Sequence, residues 1–169
     1  MGKKLGQHFL TNIAITKRID ELANIQPTDI VLEVGPGQGI LTQFLIEKAK
    51  KVIAVEKDRN LVTFLQEKFK NAKNLNIICH DILKIPLNPP FLKGELLPLE
   101  KGGWERFPTS NYKIVANLPY YITSRFLRLF LEEAQHKPES MVLMLQKEVA
   151  ERICAKPPNM NLLALSVQI

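Results

Sequence analysis

The sequence predicts an α/β fold built on a mostly parallel sheet. Short apolar runs alternate with segments of helical period. A glycine-rich turn, Gly35-Pro36-Gly37-Gln38-Gly39, follows the first run directly. Later runs end in Glu56, Asp81 and Asn117, at the strand ends where open α/β sheets bind ligands.

The elements read in order. Ile15, Ile19, Leu22 and Ala23 recur at helical spacing and predict an amphipathic helix over residues 12–24, with those four on its apolar face. Residues 30–35, IVLEVG, form a buried strand ended by glycine. Ile40, Leu41, Phe44 and Leu45 mark a helix, and KVIAVE, 51–56, a second strand. Leu61, Val62, Leu65 and Phe69 mark the next helix, and LNIICHD, 75–81, a third strand. YKIVAN, 112–117, is the fourth. Pro119 has no backbone donor and disfavours helix at the residue before it, so this strand stops at Asn117. Phe126, Leu127, Phe130 and Leu131 give a helix, MVLML, 141–145, a fifth strand, and Val149, Ala150 and Ile153 a further helix. Residues 88–111 break the pattern. They carry Pro89, Pro90, Pro98, Pro108, Gly94, Gly102 and Gly103 without a clear period, which predicts a structureless loop insertion.

Composition narrows the function classes. The 169 residues suit one domain, and 46% hydrophobic with 24% charged residues is ordinary for a globular protein. No apolar run approaches the roughly 18 residues of a membrane helix, and MGKKLGQHFLTN lacks the core of a signal peptide. Cys79 and Cys154 form no metal-ligand pattern and are expected as reduced core thiols of a cytosolic protein. A net charge of +6 is compatible with a polyanionic partner, although charge alone fits a merely basic surface as well. Placement adds to it. Lys3, Lys4, Lys17 and Arg18 are the only formally charged side chains before Asp20, and such a basic arm suits phosphate contacts.

The chemistry-bearing residues cluster at strand ends. Gly35, Gly37 and Gly39 allow a sharp turn and close approach of backbone to ligand. Their G-x-G-x-G spacing differs from the dinucleotide pattern G-x-G-x-x-G, which argues against a nicotinamide oxidoreductase. No basic residue in the loop answers a pyrophosphate, and Glu33 precedes it. The acidic, tight turn suits a ligand with a cationic centre and an amino-acid tail, such as S-adenosylmethionine. Glu56 can accept from both ribose hydroxyls, or be a solvated acid beside Lys57 and Asp58. Asp81 can accept from the exocyclic amine of adenine, or cap a turn. In VANLPYYIT, 115–123, the Asn117 side-chain oxygen and the Leu118 carbonyl can accept both hydrogens of an exocyclic amine. Pro119 fixes the turn and Tyr120 stacks on the purine, whereas Tyr121 reads as a core residue.

GQHFL (6–10), EVGPGQGILT (33–42), VEKD (55–58), HD (80–81), NLPYYIT (117–123) and MLQKEVAERI (144–153) occur in that order. Together they resemble the ribosomal RNA adenine N6,N6-dimethyltransferases over about residues 3–156, apart from the insertion. GQHFL and LQKEVAERI look more like the small-subunit branch than the resistance branch that methylates large-subunit rRNA. The resemblance implies a Rossmann-like S-adenosylmethionine-dependent methyltransferase fold and cytoplasmic N6,N6-dimethylation of adenines in 16S rRNA of the assembling small subunit. The chain is expected to be monomeric, without membrane or metal partner. The resemblance also implies a methyl-donor site of His8, Leu10, Gly35, Gly37, Glu56, Asp81 and Asn117, and a target-adenine site of Asn117, Leu118, Pro119 and Tyr120.

Two departures bear on activity. The family continues with two more strands and a small helical RNA-binding domain, whereas this chain ends at LLALSVQI, 162–169, with Leu-Leu-Ala where the family has Tyr-Gly-Arg. Residues 1–169 therefore read as an incomplete catalytic domain. The insertion 88–111 follows closely behind Asp81. A truncated, non-catalytic RNA-binding or assembly-factor remnant stays open beside the enzyme, as does a large-subunit rRNA adenine methyltransferase of the resistance type, whereas the arm and the LQKEVAERI segment argue against an adenine-N6 methyltransferase acting on DNA.

Overall fold

The computed structural model describes residues 13–85, 96–98, 104–106 and 111–168. In chain order they form α1 (Ile13–Ala23), β1 (Ile30–Val34), α2 (Ile40–Lys48), β2 (Lys51–Glu56), α3 (Arg59–Lys68) and β3 (Leu75–Cys79). There follow β4 (Leu96–Pro98), β5 (Trp104–Arg106), β6 (Tyr112–Asn117), α4 (Tyr120–Arg128), β7 (Ser140–Met144), α5 (Lys147–Ile153) and α6 (Leu162–Gln168).

The five expected strands make one sheet in the order β3-β2-β1-β6-β7. Every pair in it is parallel. Parallel strands buried on both faces read as unbroken apolar runs, which is why they were visible in the sequence. On one face Leu32, Ile53, Ile114 and Ala116 pack with Phe126 of α4 and with Phe130 in the π turn Leu129–Glu133 that continues it. The two rings lie 4.6 Å apart between centroids. On the other face Val31, Val52 and Val115 meet Ile19 and Ala23 of α1 and Leu41 and Leu45 of α2. None of the described helices is long and apolar enough to cross a membrane.

Four expectations need correction. The buried face of α1 is Thr16, Ile19, Asp20 and Ala23, while Ile15 and Leu22 are exposed. Asp20 can enter because the Lys48 ammonium lies 2.6 Å from its Oδ2, a partner that periodicity cannot reveal. The segment 88–111 is not structureless: β4 and β5 pair antiparallel, Leu97 opposite Glu105. Strands of three residues are too short to show alternation. Cys154 is exposed and Cys79 only half-buried, so neither is a fully buried core thiol. Tyr121 is exposed as well.

Gly39 owes its identity to packing. Its φ is +76°, and a Cβ there would lie 2.5 Å from Phe69 Cε2 and 2.7 Å from Leu65 Cδ2 at α3 and its C-terminal end. Gly39→Ala therefore combines a left-handed backbone with overpacking. It should destabilise the fold by roughly 2–4 kcal/mol, read from a urea unfolding midpoint.

Glu33 sits in the central strand with 1% of its surface exposed. Neither carboxylate oxygen has a hydrogen-bond partner among the described residues, and buried Thr42 Oγ1 also lacks one. Burial pushes the Glu33 carboxyl up to about 8; the nearby Thr42 hydroxyl partly offsets this and the Glu56 charge adds to it. Folding therefore takes up a proton at Glu33 between the ordinary carboxylate range and about pH 8. Stability from this group is full below that range and is lost as pH rises through the folded-state value, at about 1.4 kcal/mol per pH unit. Glu33→Gln should remove this component of the slope, checked by urea midpoints across the same pH window.

Candidate active site

The parallel ladder does not stop with the strands. Gly35 N–H donates to the Val55 carbonyl at 2.9 Å, His80 N–H to Glu56 at 2.9 Å and Leu118 N–H to Met144 at 3.1 Å. These bonds hold the first residues past each strand, so the loops begin from fixed positions. Strand order reverses at β1, between β2 and β6, which opens a crevice at the carboxyl ends. A cavity of about 520 Å³ lies there, in the usual range for small-molecule sites.

The glycine turn forms its floor. Gly35 has φ +68° and Gly37 φ +58°, a region that disfavours a side chain. A Cβ on Gly35 would lie 3.8 Å from the Asn117 carbonyl oxygen, so the turn after β1 and the end of β6 face each other closely. Glu56, buried at the end of β2, is held by three backbone donors. Lys57 and Asp58 N–H groups reach its Oε1 at 2.8 and 2.9 Å, and Gly37 N–H reaches Oε2 at 3.2 Å. A carboxylate offers about four acceptor sites, so roughly one is left for a ligand, and the long Gly37 bond is the readiest to yield a second.

Asp81 lies two residues beyond β3. Its Oδ1 accepts from Leu83 N–H at 3.1 Å, capping the 3₁₀ turn Ile82–Lys84. Its Oδ2 pairs with the Lys57 ammonium at 2.9 Å. Burial opposes the Asp81 charge, but the bonds from Lys57 and Leu83 and the Lys57 and Lys84 charges outweigh it and hold the carboxyl below its ordinary range. The hydrogen bond to Asp81 and its charge raise Lys57 in turn, against a small opposing effect of burial and with help from Tyr121.

The far wall starts where β6 ends. Leu118 is buried in the core, and Pro119 opens α4 with φ −60° and ψ 141°. The Pro119 carbonyl accepts from Ile122 N–H and Thr123 Oγ1, each at 3.2 Å. Tyr120 and Tyr121 follow, 59% and 48% exposed, with rings edge to face at 5.9 Å. Tyr121 stands at the cavity because α4 begins at once after Pro119 and its first turn overhangs the crevice.

Gly35, Gly37, Glu56, Asp81, Asn117, Leu118, Pro119 and Tyr120 thus line one cavity. His8 and Leu10 lie outside the described residues. Lys57 and the β7 end, Met144, Leu145 and Gln146, also line it and were missed. The signal for Lys57 was its place directly after Glu56; for β7 it was the strand end itself. Glu56, Asp58 and Asp81 face a single lysine among the described lining residues, with Glu33 kept protonated by burial, so the cavity favours a cationic ligand. Among the described residues no three His, Cys, Asp or Glu side chains are grouped to hold a metal.

The family model described as ribosomal RNA adenine dimethylase matches residues 1–169. The ribosomal RNA small subunit methyltransferase A of Dehalococcoides mccartyi is 49% identical, covering 98% of this chain and 52% of that protein. The protein of the same name from Alkaliphilus metalliredigens is 41% identical over 99% of this chain and 54% of its own length. A dimethyladenosine transferase from Plasmodium falciparum superimposes with a TM-score of 0.76 at 30% identity, over 95% of this chain and 52% of that one. The 23S rRNA methyltransferase ErmE gives 0.66 at 31% identity, over 86% and 50%. The chain spans about half the length of the curated relatives it matches. With the family pattern matched from end to end on a methyltransferase-type sheet, the chain belongs to the ribosomal RNA adenine dimethylase family.

Proposed function

We propose that this chain carries the methyl-donor and adenine sites of an rRNA adenine N6,N6-dimethyltransferase acting in the cytoplasm, as a monomer, on 16S rRNA of the assembling small subunit. The observation that carries the reading is the convergence of Glu56, Asp81 and residues 117–120 on one cavity where the strand order reverses. Relatives named for the small ribosomal subunit support that substrate over large-subunit rRNA.

The residues fit S-adenosylmethionine. Its cationic end answers a cavity lined by the carboxylates of Glu56, Asp58 and Asp81. When bound, it supplies a methyl group made electrophilic by the sulfonium. Glu56 holds the ribose hydroxyls and Asp81 accepts from the cofactor's adenine amine. His8 and Leu10 of the basic arm complete this site. The Asn117 side-chain oxygen and the Leu118 carbonyl take both hydrogens of the target amine, which turns the nitrogen lone pair toward the methyl group. Tyr120 stacks on the target base, worth roughly 1–3 kcal/mol. Catalysis is then mainly alignment, and no strong base is needed because the proton leaves after transfer.

A non-catalytic chain that binds the cofactor without turnover is the second reading. Calorimetry and a transfer assay separate the two. S-adenosylmethionine should bind saturably, and Glu56→Ala should weaken it by about tenfold or more. Asn117→Ala should leave binding in place and lower methyl transfer to undermethylated small subunits by roughly a hundredfold. A folded chain that does not bind the cofactor sinks the proposal. Binding with no transfer by the unaltered chain selects the second reading.

A further inference from the structure

Lys57 is tied at both ends to the two acids of the site. Its backbone N–H donates to Glu56 Oε1 at 2.8 Å, and its ammonium reaches Asp81 Oδ2 at 2.9 Å. The root of the side chain is therefore fixed beside one acid and its tip beside the other. As a contribution to stability the ion pair is minor, because the side chains are 60% and 20% exposed. Its position is the informative part: among the described residues Lys57 is the one lysine or arginine that lines the cavity.

The donors and acceptors are not exhausted. An ammonium has three donors, and the bond to Asp81 uses one. Asp81 has about four acceptor sites, with one taken by Leu83 N–H and one by Lys57. The pair thus presents a free acceptor next to a free donor at the same strand-end position. An adenine presents the complement: its exocyclic amine donates, and the ring nitrogens on either side of it accept. The Lys57 stem can at the same time cover a base face, as long lysine chains cover apolar surface.

We propose that Lys57 is a specificity-determining residue of the adenine subsite, donating from its ammonium to a ring nitrogen beside the amine that Asp81 accepts. This rests on the reading of the cavity as the methyl-donor site. It assigns the ion pair a role in reading the base: Asp81 recognises the amine and Lys57 its neighbour. The alternative is competition, in which the ammonium occupies Asp81 and must be displaced by the amine.

The test is a cycle between protein and ligand. Calorimetric affinities of S-adenosylmethionine and of its 1-deaza and 7-deaza adenine analogues would be measured on the wild type, Lys57→Met and Asp81→Ala, with thermal melts confirming folding. Lys57→Met keeps the stem and removes the charge, and it should weaken S-adenosylmethionine by roughly three- to tenfold. The wild type should lose a similar factor with one of the two deaza analogues, and Lys57→Met should lose nothing further with that analogue. Lys57→Arg should restore much of the affinity. Equal or tighter binding by Lys57→Met overturns the proposal and shows competition. Losses that multiply independently overturn it too, since the ammonium and the ring nitrogen would not meet. If folded Asp81→Ala, which has no side-chain acceptor, binds as the wild type does, the adenine does not sit here, and the underlying reading fails with it.

Discussion

The site depends on the register of the parallel ladder. β1 is paired on both sides, Glu33 level with Ala54 and with Val115, so neither neighbour can move without the other. A slip of one residue would turn every side chain to the opposite face. Leu32 and Val34 would leave the core beneath α4, and Glu33 would enter it. The same register sets the heights at which Gly35, Glu56 and Asn117 leave their strands. Single backbone bonds past the strand ends carry that order into the loops. The geometry of the cavity is thus inherited from the sheet core.

The charges divide in a consistent way. Among the described residues that line the cavity, carboxylates outnumber the single lysine. Over the whole chain the balance is +6. A nucleotide phosphate would be repelled by the first and attracted by the second. A cationic small molecule with a polyanionic substrate needs both, one buried and one outside. Glu33 also lines the cavity, as a carboxyl that burial keeps protonated near neutral pH. An unpartnered carboxyl in a central strand works against folding, and real proteins tolerate such conflicts chiefly at functional sites. Tyr120 and Tyr121 stand at the boundary, with apolar rings that a base can use and enough exposure to reach one.

Most of the fold was legible because a doubly wound sheet writes itself as apolar runs between helical segments. Asn117 and Pro119 ended β6 where expected, and the glycines marked the turn after β1. What was not legible depended on partners distant in sequence. Asp20 could be buried only because Lys48 reaches it. The β4–β5 ribbon is held by pairing across a connection and is too short to show a period. Tyr121 was assigned to the core by its aromatic character alone, yet the first turn of α4 carries it over the cavity. Gly39 looked like the other two glycines of its loop, and only the position of Phe69 and Leu65 shows that it packs against α3.

The cavity is also local. Its lining residues run from Glu33 to Gln146, all within the five-stranded sheet and its first flanking turns. The relatives are about twice as long, yet none of these described groups waits on a distant part of the chain for its position. β7 contributes Met144, Leu145 and Gln146 while pairing, among the described residues, along one edge, with β6. Its burial is correspondingly shallow, with Ser140 exposed and the other four residues half-buried. The cavity wall from β1, β2, β3 and β6 therefore rests on a firmer base than the wall from β7. In the proposed reading the cofactor contacts of Glu56 and Asp81 belong to the first wall, so a change confined to β7 would leave those two contacts in place.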